Sequence, residues 1–182
     1  MKDDKLLLEA AKKRDQNALV GIFDKYSSAL YNYAMRLCGD PLKADHIIGD
    51  VFAKFLDQLV AGKGPDTNLR SYLYQMTYHL IVDEARFSRR EAPLEIVEFI
   101  PGQENTVPGS LENKVLLDIL LVAIKNDLTE DQRHVIILRF LENFSLRETA
   151  VIIRKDVQNV KVIQNRGIAK LRKILDRKKV RQ

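Results

Sequence analysis

The chain has 182 residues, 46% of them hydrophobic and 30% charged, which is too apolar for wholesale disorder and enough for one large domain or two small ones. Its single cysteine, Cys38, excludes an internal disulfide and any multi-cysteine zinc site. The net charge of +5 is carried by one end, where Lys161 to Gln182 hold nine Lys or Arg against one acid, Asp176. No apolar run reaches membrane-spanning length, and the opening Met1, Lys2, Asp3, Asp4, Lys5 lacks the basic-then-apolar order of a signal peptide, so a cytoplasmic chain with no membrane partner is expected.

Nearly every apolar run repeats at three and four residues between caps or Gly and Pro, which predicts an all-α fold. A short helix from about Asp4 to Lys13 comes first. Asp15 then caps a helix with Ala18, Leu19, Ile22, Phe23, Tyr26, Leu30, Tyr33 and Leu37 on one face, stopped at Cys38-Gly39-Asp40-Pro41. The next stripe, Ile47, Ile48, Val51, Phe52, Phe55, Leu56 and Leu59, ends at Ala61-Gly62-Lys63-Gly64-Pro65. A fourth helix runs from Asn68 to about Arg90, with Pro93 just beyond. These four helices define an N-terminal helical domain over residues 1 to 91.

Residues 92 to 110 have no sustained period and are rich in Pro, Gly and Glu, which predicts an acidic flexible linker. The C-terminal domain is expected over 111 to 182. A helix starts after Ser110 and runs from Leu111 to about Asn126. Capping boxes at Thr129-Glu130-Asp131-Gln132 and Ser145-Leu146-Arg147-Glu148 mark two further starts, and Asp156 caps the last helix.

The last two helices have the pattern of a helix-turn-helix. In the first, Leu146, Thr149, Ala150 and Ile153 share one face, and the small Ala150 permits a close crossing. In the second, Val160, Ile163, Gly167, Leu171 and Ile174 point inward while Gln158, Lys161, Val162 and Asn165 face out, with Asn159 beside the helix start. Amides pair bidentately with adenine, a lysine reaches guanine or phosphate and a valine meets a thymine methyl, so this face suits a major groove. A plain helical hairpin would share the pattern; the basic end favours DNA. At the turn Arg154 stands where a glycine would be comfortable, and a positive φ there would cost an arginine about 1 kcal/mol.

On the fourth helix aromatic and basic residues alternate: Tyr72, Tyr74, Tyr78 and His79, then Arg86, Phe87, Arg89 and Arg90. Aromatics stack on unpaired bases and cations hold the backbone, a composition suited to single-stranded or melting DNA. The competing reading makes Tyr72 and Tyr78 partly core and the arginines a solvated helix end.

The segments KADHIIGDVFAKFLDQL, YLYQMTYHLIVDEAR and LTEDQRHVIILRFLENFSLRETA, in this order with a linker between the second and third, resemble the motifs of the extracytoplasmic-function (ECF) sigma factors. That resemblance covers nearly the whole chain. It implies a transcription initiation factor that binds core RNA polymerase at its clamp and flap, recognises -35 and -10 promoter elements and promotes DNA melting. It assigns clamp binding to the helix of Ala44, Asp45, Asp50 and Phe52. It assigns the single-stranded -10 element to the loop from Ala61 to Asn68 with Tyr72, Tyr78, His79, Asp83 and Arg86, beside Arg89 and Arg90. The double-stranded -35 element goes to Gln158, Asn159, Lys161, Val162, Asn165 and Arg166. An anti-sigma factor or recruiter is a candidate further partner. The linker would thread the polymerase's RNA channel, a positive groove that an acidic strand suits. Gly49, Tyr72, His79 and Thr129 stand where the family usually has Gln, Trp, Asn and Pro, which predicts a promoter preference away from the family norm.

An enzyme has little to stand on. His46, His79 and His134 are far apart, no His-Glu-x-x-His spacing occurs, Gly62-x-Gly64 is too short for a phosphate loop, and Cys38 reads as a half-buried small residue, so no catalytic group, metal site or cofactor is expected. The stronger rival is a conventional helix-turn-helix regulator whose N-terminal bundle dimerises; exposed Tyr74, Tyr78 and Arg86 would have no use there.

Overall fold

A computed structural model describes residues 2–91 and 111–179, with side chains over 3–87 and 119–177. The expected linker, 92 to 110, lies outside the described residues. The chain divides into two compact units, Met1–Val97 and Glu98–Gln182. Among the described residues there is no strand, so the fold is all-α as the periodicity predicts.

The first unit contains α1 (Lys2–Lys12), α2 (Gln16–Cys38), α3 (Pro41–Val60) and α4 (Leu69–Glu91). Asp15 caps α2 by accepting from the N–H groups of Asn17 and Ala18, and Gly39 ends it in the left-handed region at φ 70°. The same turn starts α3 six residues before the apolar stripe: Asp40 accepts from Leu42 N and Lys43 N, and Pro41 takes the first helical position, where its missing N–H costs nothing. Tyr26 donates to Asp4 at 2.7 Å and Lys25 pairs with Asp4 at 2.8 Å, which pins α1 to α2.

The core of this unit is Leu8, Ile22, Leu30, Tyr33, Val51, Phe55, Leu69, Leu73 and Tyr74. Phe23 and Leu56, expected on buried faces, are exposed because each stripe is wider than its neighbouring helices cover. Phe23 still leans on the edge of that core, its ring 4.8 Å from that of Phe52.

The second unit contains α5 (Leu111–Asp127), α6 (Glu130–Ile136), a π-helical continuation over Ile137–Leu141, α7 (Leu146–Ile152) and α8 (Val157–Lys179). Both capping boxes form as predicted, with Thr129 and Gln132 exchanging bonds at the start of α6 and Ser145 and Glu148 at the start of α7. Val135, Ile137, Leu138, Phe144, Ile152 and Val160 are its most buried apolar residues. Gly167 lets α8 approach α6 closely: a Cβ there would lie 3.2 Å from Ile136 Cγ1.

Candidate nucleic-acid interface

The turn between α7 and α8 is closed by its own backbone. Lys155 N donates to Ala150 O at 3.0 Å, and Arg154 sits at φ 51°, the left-handed conformation anticipated for that position. Lys155 then reaches Asp131 at the start of α6 at 3.1 Å, tying the turn to the rest of the unit.

Asp156 caps α8 through a 2.8 Å bond from Asn159 N. Behind it, Val160, Gly167 and Leu171 are buried, and Gln158, Asn159, Lys161, Val162, Asn165 and Arg166 are all exposed. Helical geometry puts these six on one arc of the surface, opposite the buried set. Asn159 is less free than the others, because its side-chain amide also donates to Asp156. A base would find its carbonyl oxygen and one remaining N–H rather than a free amide.

In the first unit the sequence-predicted residues separate into two groups. Ala44 is 0% exposed and Phe52 9%, so neither presents a surface to a partner; they hold α3 in place while Asp45 and Asp50 face outward. Tyr78, at 9% exposure, is core, and Tyr74 is fully buried with its ring 5.3 Å from that of Tyr33. The stacking reading needs both exposed; the competing reading, which makes Tyr78 partly core, fits its burial. The cause is register: Tyr74 and Tyr78 are one turn apart, on a side of α4 that is buried, where Tyr74 meets Tyr33 of α2.

Tyr72 is half-buried with its ring 6.3 Å from that of Phe55, and burial lifts its hydroxyl above the ordinary tyrosine range. His79 is half-buried beside Tyr78, ring centroids 5.2 Å apart. Asp83 and Arg86 are exposed and meet only loosely, at 3.8 Å. The side chains of Arg89 and Arg90 lie outside the described residues.

Sequence reasoning missed the groove that runs between α3 and α4. Its volume is about 510 Å3, and Leu42, His46, Asp50, Leu80, Asp83 and Phe87 are among its lining. Leu42 is 79% exposed and Phe87 56%, an apolar pair beside carboxylates. Asp50, assigned to a protein partner, and Asp83, assigned to DNA, thus line one surface. The signal was Leu42, an apolar residue off the buried stripe of its own helix.

Burial pushes the Cys38 thiol up to about 11, away from reactivity. Among the described residues no group of three His, Cys, Asp or Glu could hold a metal, and no helix is long and apolar enough to cross a membrane.

Comparison with known proteins agrees with this geometry. The family model for sigma-70 region 2 matches residues 22–91, and that for sigma-70 region 4 matches residues 126–173, together well over half of the chain. The chain is 25% identical over 175 residues to the ECF RNA polymerase sigma factor BldN of Streptomyces coelicolor, covering 93% of this chain but only 64% of that relative's length. It is 27% identical over 165 residues to the ECF RNA polymerase sigma factor SigX of Bacillus subtilis, covering 85% of this chain and 82% of SigX.

Among solved structures, CnrH in complex with the cytosolic domain of CnrY shares the fold at a TM-score of 0.70 and 22% identity, over 96% of this chain and 97% of that one. The sigma factor RpoE bound to the anti-sigma factor NepR from Bartonella quintana shares it at 0.68 and 22%, over 85% and 94%. The chain belongs to the sigma-70 family, as its motifs led one to expect, and its relatives fall in the ECF branch. The region 2 match disfavours the dimerising regulator, since it gives the N-terminal bundle a role of its own.

Proposed function

We propose that this chain is a transcription initiation factor: it binds core RNA polymerase, reads a -35 element with α8 and captures a melted -10 element with α4 and the loop before it. The observation that carries the reading is the division of α8, whose six outward residues from Gln158 to Arg166 stand opposite a buried Val160, Gly167 and Leu171. Lys161 and Arg166 supply positive charge on that arc, and Gln158, Asn165 and Val162 supply hydrogen-bonding and apolar contacts for base edges.

In the first unit we assign DNA contact to Tyr72, His79 and Arg86 and withdraw Tyr78 from direct stacking, because it is core. Polymerase contact falls to the outward side of α3, through Asp45 and Asp50, continuous with the groove that Leu42 and Phe87 border. A basic, partly apolar surface on the clamp would complement it. The linker, 92 to 110, carries carboxylates and no Lys or Arg, which suits a positive channel. RpoE, which shares the fold, is solved with an anti-sigma factor bound, and the same groove is where such a partner would compete here. The chain supplies binding energy and no catalysis of its own, and works in the cytoplasm with the polymerase.

The test is in-vitro transcription of fragmented genomic DNA by core polymerase, with and without the purified chain, mapping every new RNA start. Chain-dependent starts sharing two upstream sequence blocks at fixed spacing are expected. Folded chain and active core that yield no new start would overturn the proposal.

A further inference from the structure

The π-helical stretch Ile137–Leu141 prolongs α6 by a wider turn, closed by Glu142 N donating to Ile137 O at 2.9 Å and Phe144 N to Leu138 O at 2.9 Å. Arg139 lies within this wider turn, and its side chain reaches α8. The Arg139 Nε donates to Gln164 Oε1 at 2.9 Å, and its Nη1 donates to the carbonyl of Phe144, the residue just before the Ser145 cap. One half-buried guanidinium therefore joins the end of the α6 segment, the start of α7 and the middle of α8.

Gln164 is one residue from Asn165 and three from Lys161, so it borders the outward arc without belonging to it. Three residues further along α8, Gly167 makes the close contact with Ile136. Val160 and Leu171 also pack α8 against its unit, but apolar contacts of this kind have no direction of their own. The Arg139–Gln164 hydrogen bond, one turn from Gly167, is directional and so fixes rotation about the helix axis. The planar fork of an arginine can hold two acceptors at once in a set geometry, which an ammonium cannot.

We infer that Arg139 is a positioning residue for promoter reading: by bridging Phe144 and Gln164 it sets the rotation of α8, and so the aim of Lys161 and Asn165 at the -35 element. This inference rests on the initiation-factor reading above and adds a determinant of its specificity outside the DNA-facing arc.

The experiment uses the full chain with core polymerase on two promoters that differ only in an intact or scrambled -35 block, and reads the ratio of transcripts. Gln164→Leu keeps the side chain's bulk and removes the acceptor; Arg139→Lys keeps the charge and removes the fork. Each is expected to lower the ratio at least about fivefold, with the double variant no worse than the weaker single one, since both break the same link.

A purely structural role would lower both transcripts by one factor and leave the ratio intact, which overturns the inference. An arginine acting only as a cation near the DNA backbone would tolerate Arg139→Lys and be indifferent to Gln164→Leu, which also overturns it. If Arg139→Lys fails to fold, Gln164→Leu decides alone. Failure of the parent reading is separable: the wild-type chain would then itself show no -35 dependence.

Discussion

Lys161 and Gln158 are three positions apart on α8, both exposed and both on the arc opposite Val160. Neither supports the core, so alanine at either position removes a DNA contact without opening a cavity; stability should move by less than about 0.5 kcal/mol. A side chain pairing with a base edge contributes about 1 to 3 kcal/mol of discrimination, and each single variant should lose about 5- to 150-fold in initiation from a matched -35 element. Asn159 cannot fully replace a lost amide, because its own is engaged with Asp156. The assay is single-round transcription from promoters with every single-base change across the -35 block, at several salt concentrations. Gln158→Ala should flatten the preference at one base pair and leave the salt dependence alone. Lys161→Ala should flatten a position if it meets a base; if it meets phosphate it should weaken all sequences equally and reduce the salt slope by about one. Unchanged sequence preference and salt slope in both variants would refute the assignment of this arc to DNA.

Three further outcomes follow from the geometry. Tyr78→Ala should remove about 3 kcal/mol or more from unfolding of the first unit, as expected for a buried aromatic, whereas Arg86→Ala should leave chemical denaturation unchanged and slow promoter opening, measured by permanganate footprinting. His134 is buried and beside Arg133, and burial first and that charge second drive its pKa down to about 3 from an ordinary value of 6.5. Between those values the unfolded chain binds the extra proton and the folded chain does not, so stability present above pH 6.5 is lost as pH falls; about 2 kcal/mol should go by pH 5. Urea unfolding of wild type and His134→Gln at pH 7 and 5 checks this, the variant showing the smaller drop. Ser145→Ala removes the side-chain cap of the seven-residue α7 and should cost about 1 kcal/mol in the same unfolding assay, with Ser145→Thr close to wild type.

Local rules were enough for much of this molecule. The Asp15, Thr129, Ser145 and Asp156 caps are each made by a side chain bonding a backbone N–H two or three residues away, so neighbouring letters determine them. The left-handed Arg154 was legible for the same reason, since so tight a turn between two helices admits few backbone paths. The outward arc of α8 followed from a period of 3.6 and its buried complement.

What the sequence could not decide was which of two apolar or aromatic sides meets a neighbour. Tyr74 and Tyr78 look like stacking groups beside Arg86, yet both are buried; Ala44 and Phe52 belong to the segment from which polymerase contact was expected, yet point into the core. The α3–α4 groove, with Leu42 and Phe87 at Asp50 and Asp83, needs two helices laid side by side before it exists. Arg139 and Gln164, 25 residues apart, carry no local sign of each other. Helix periods and caps act over a few residues and are written in sequence; burial and long-range hydrogen bonds depend on which surfaces meet, and only the packed chain determines that.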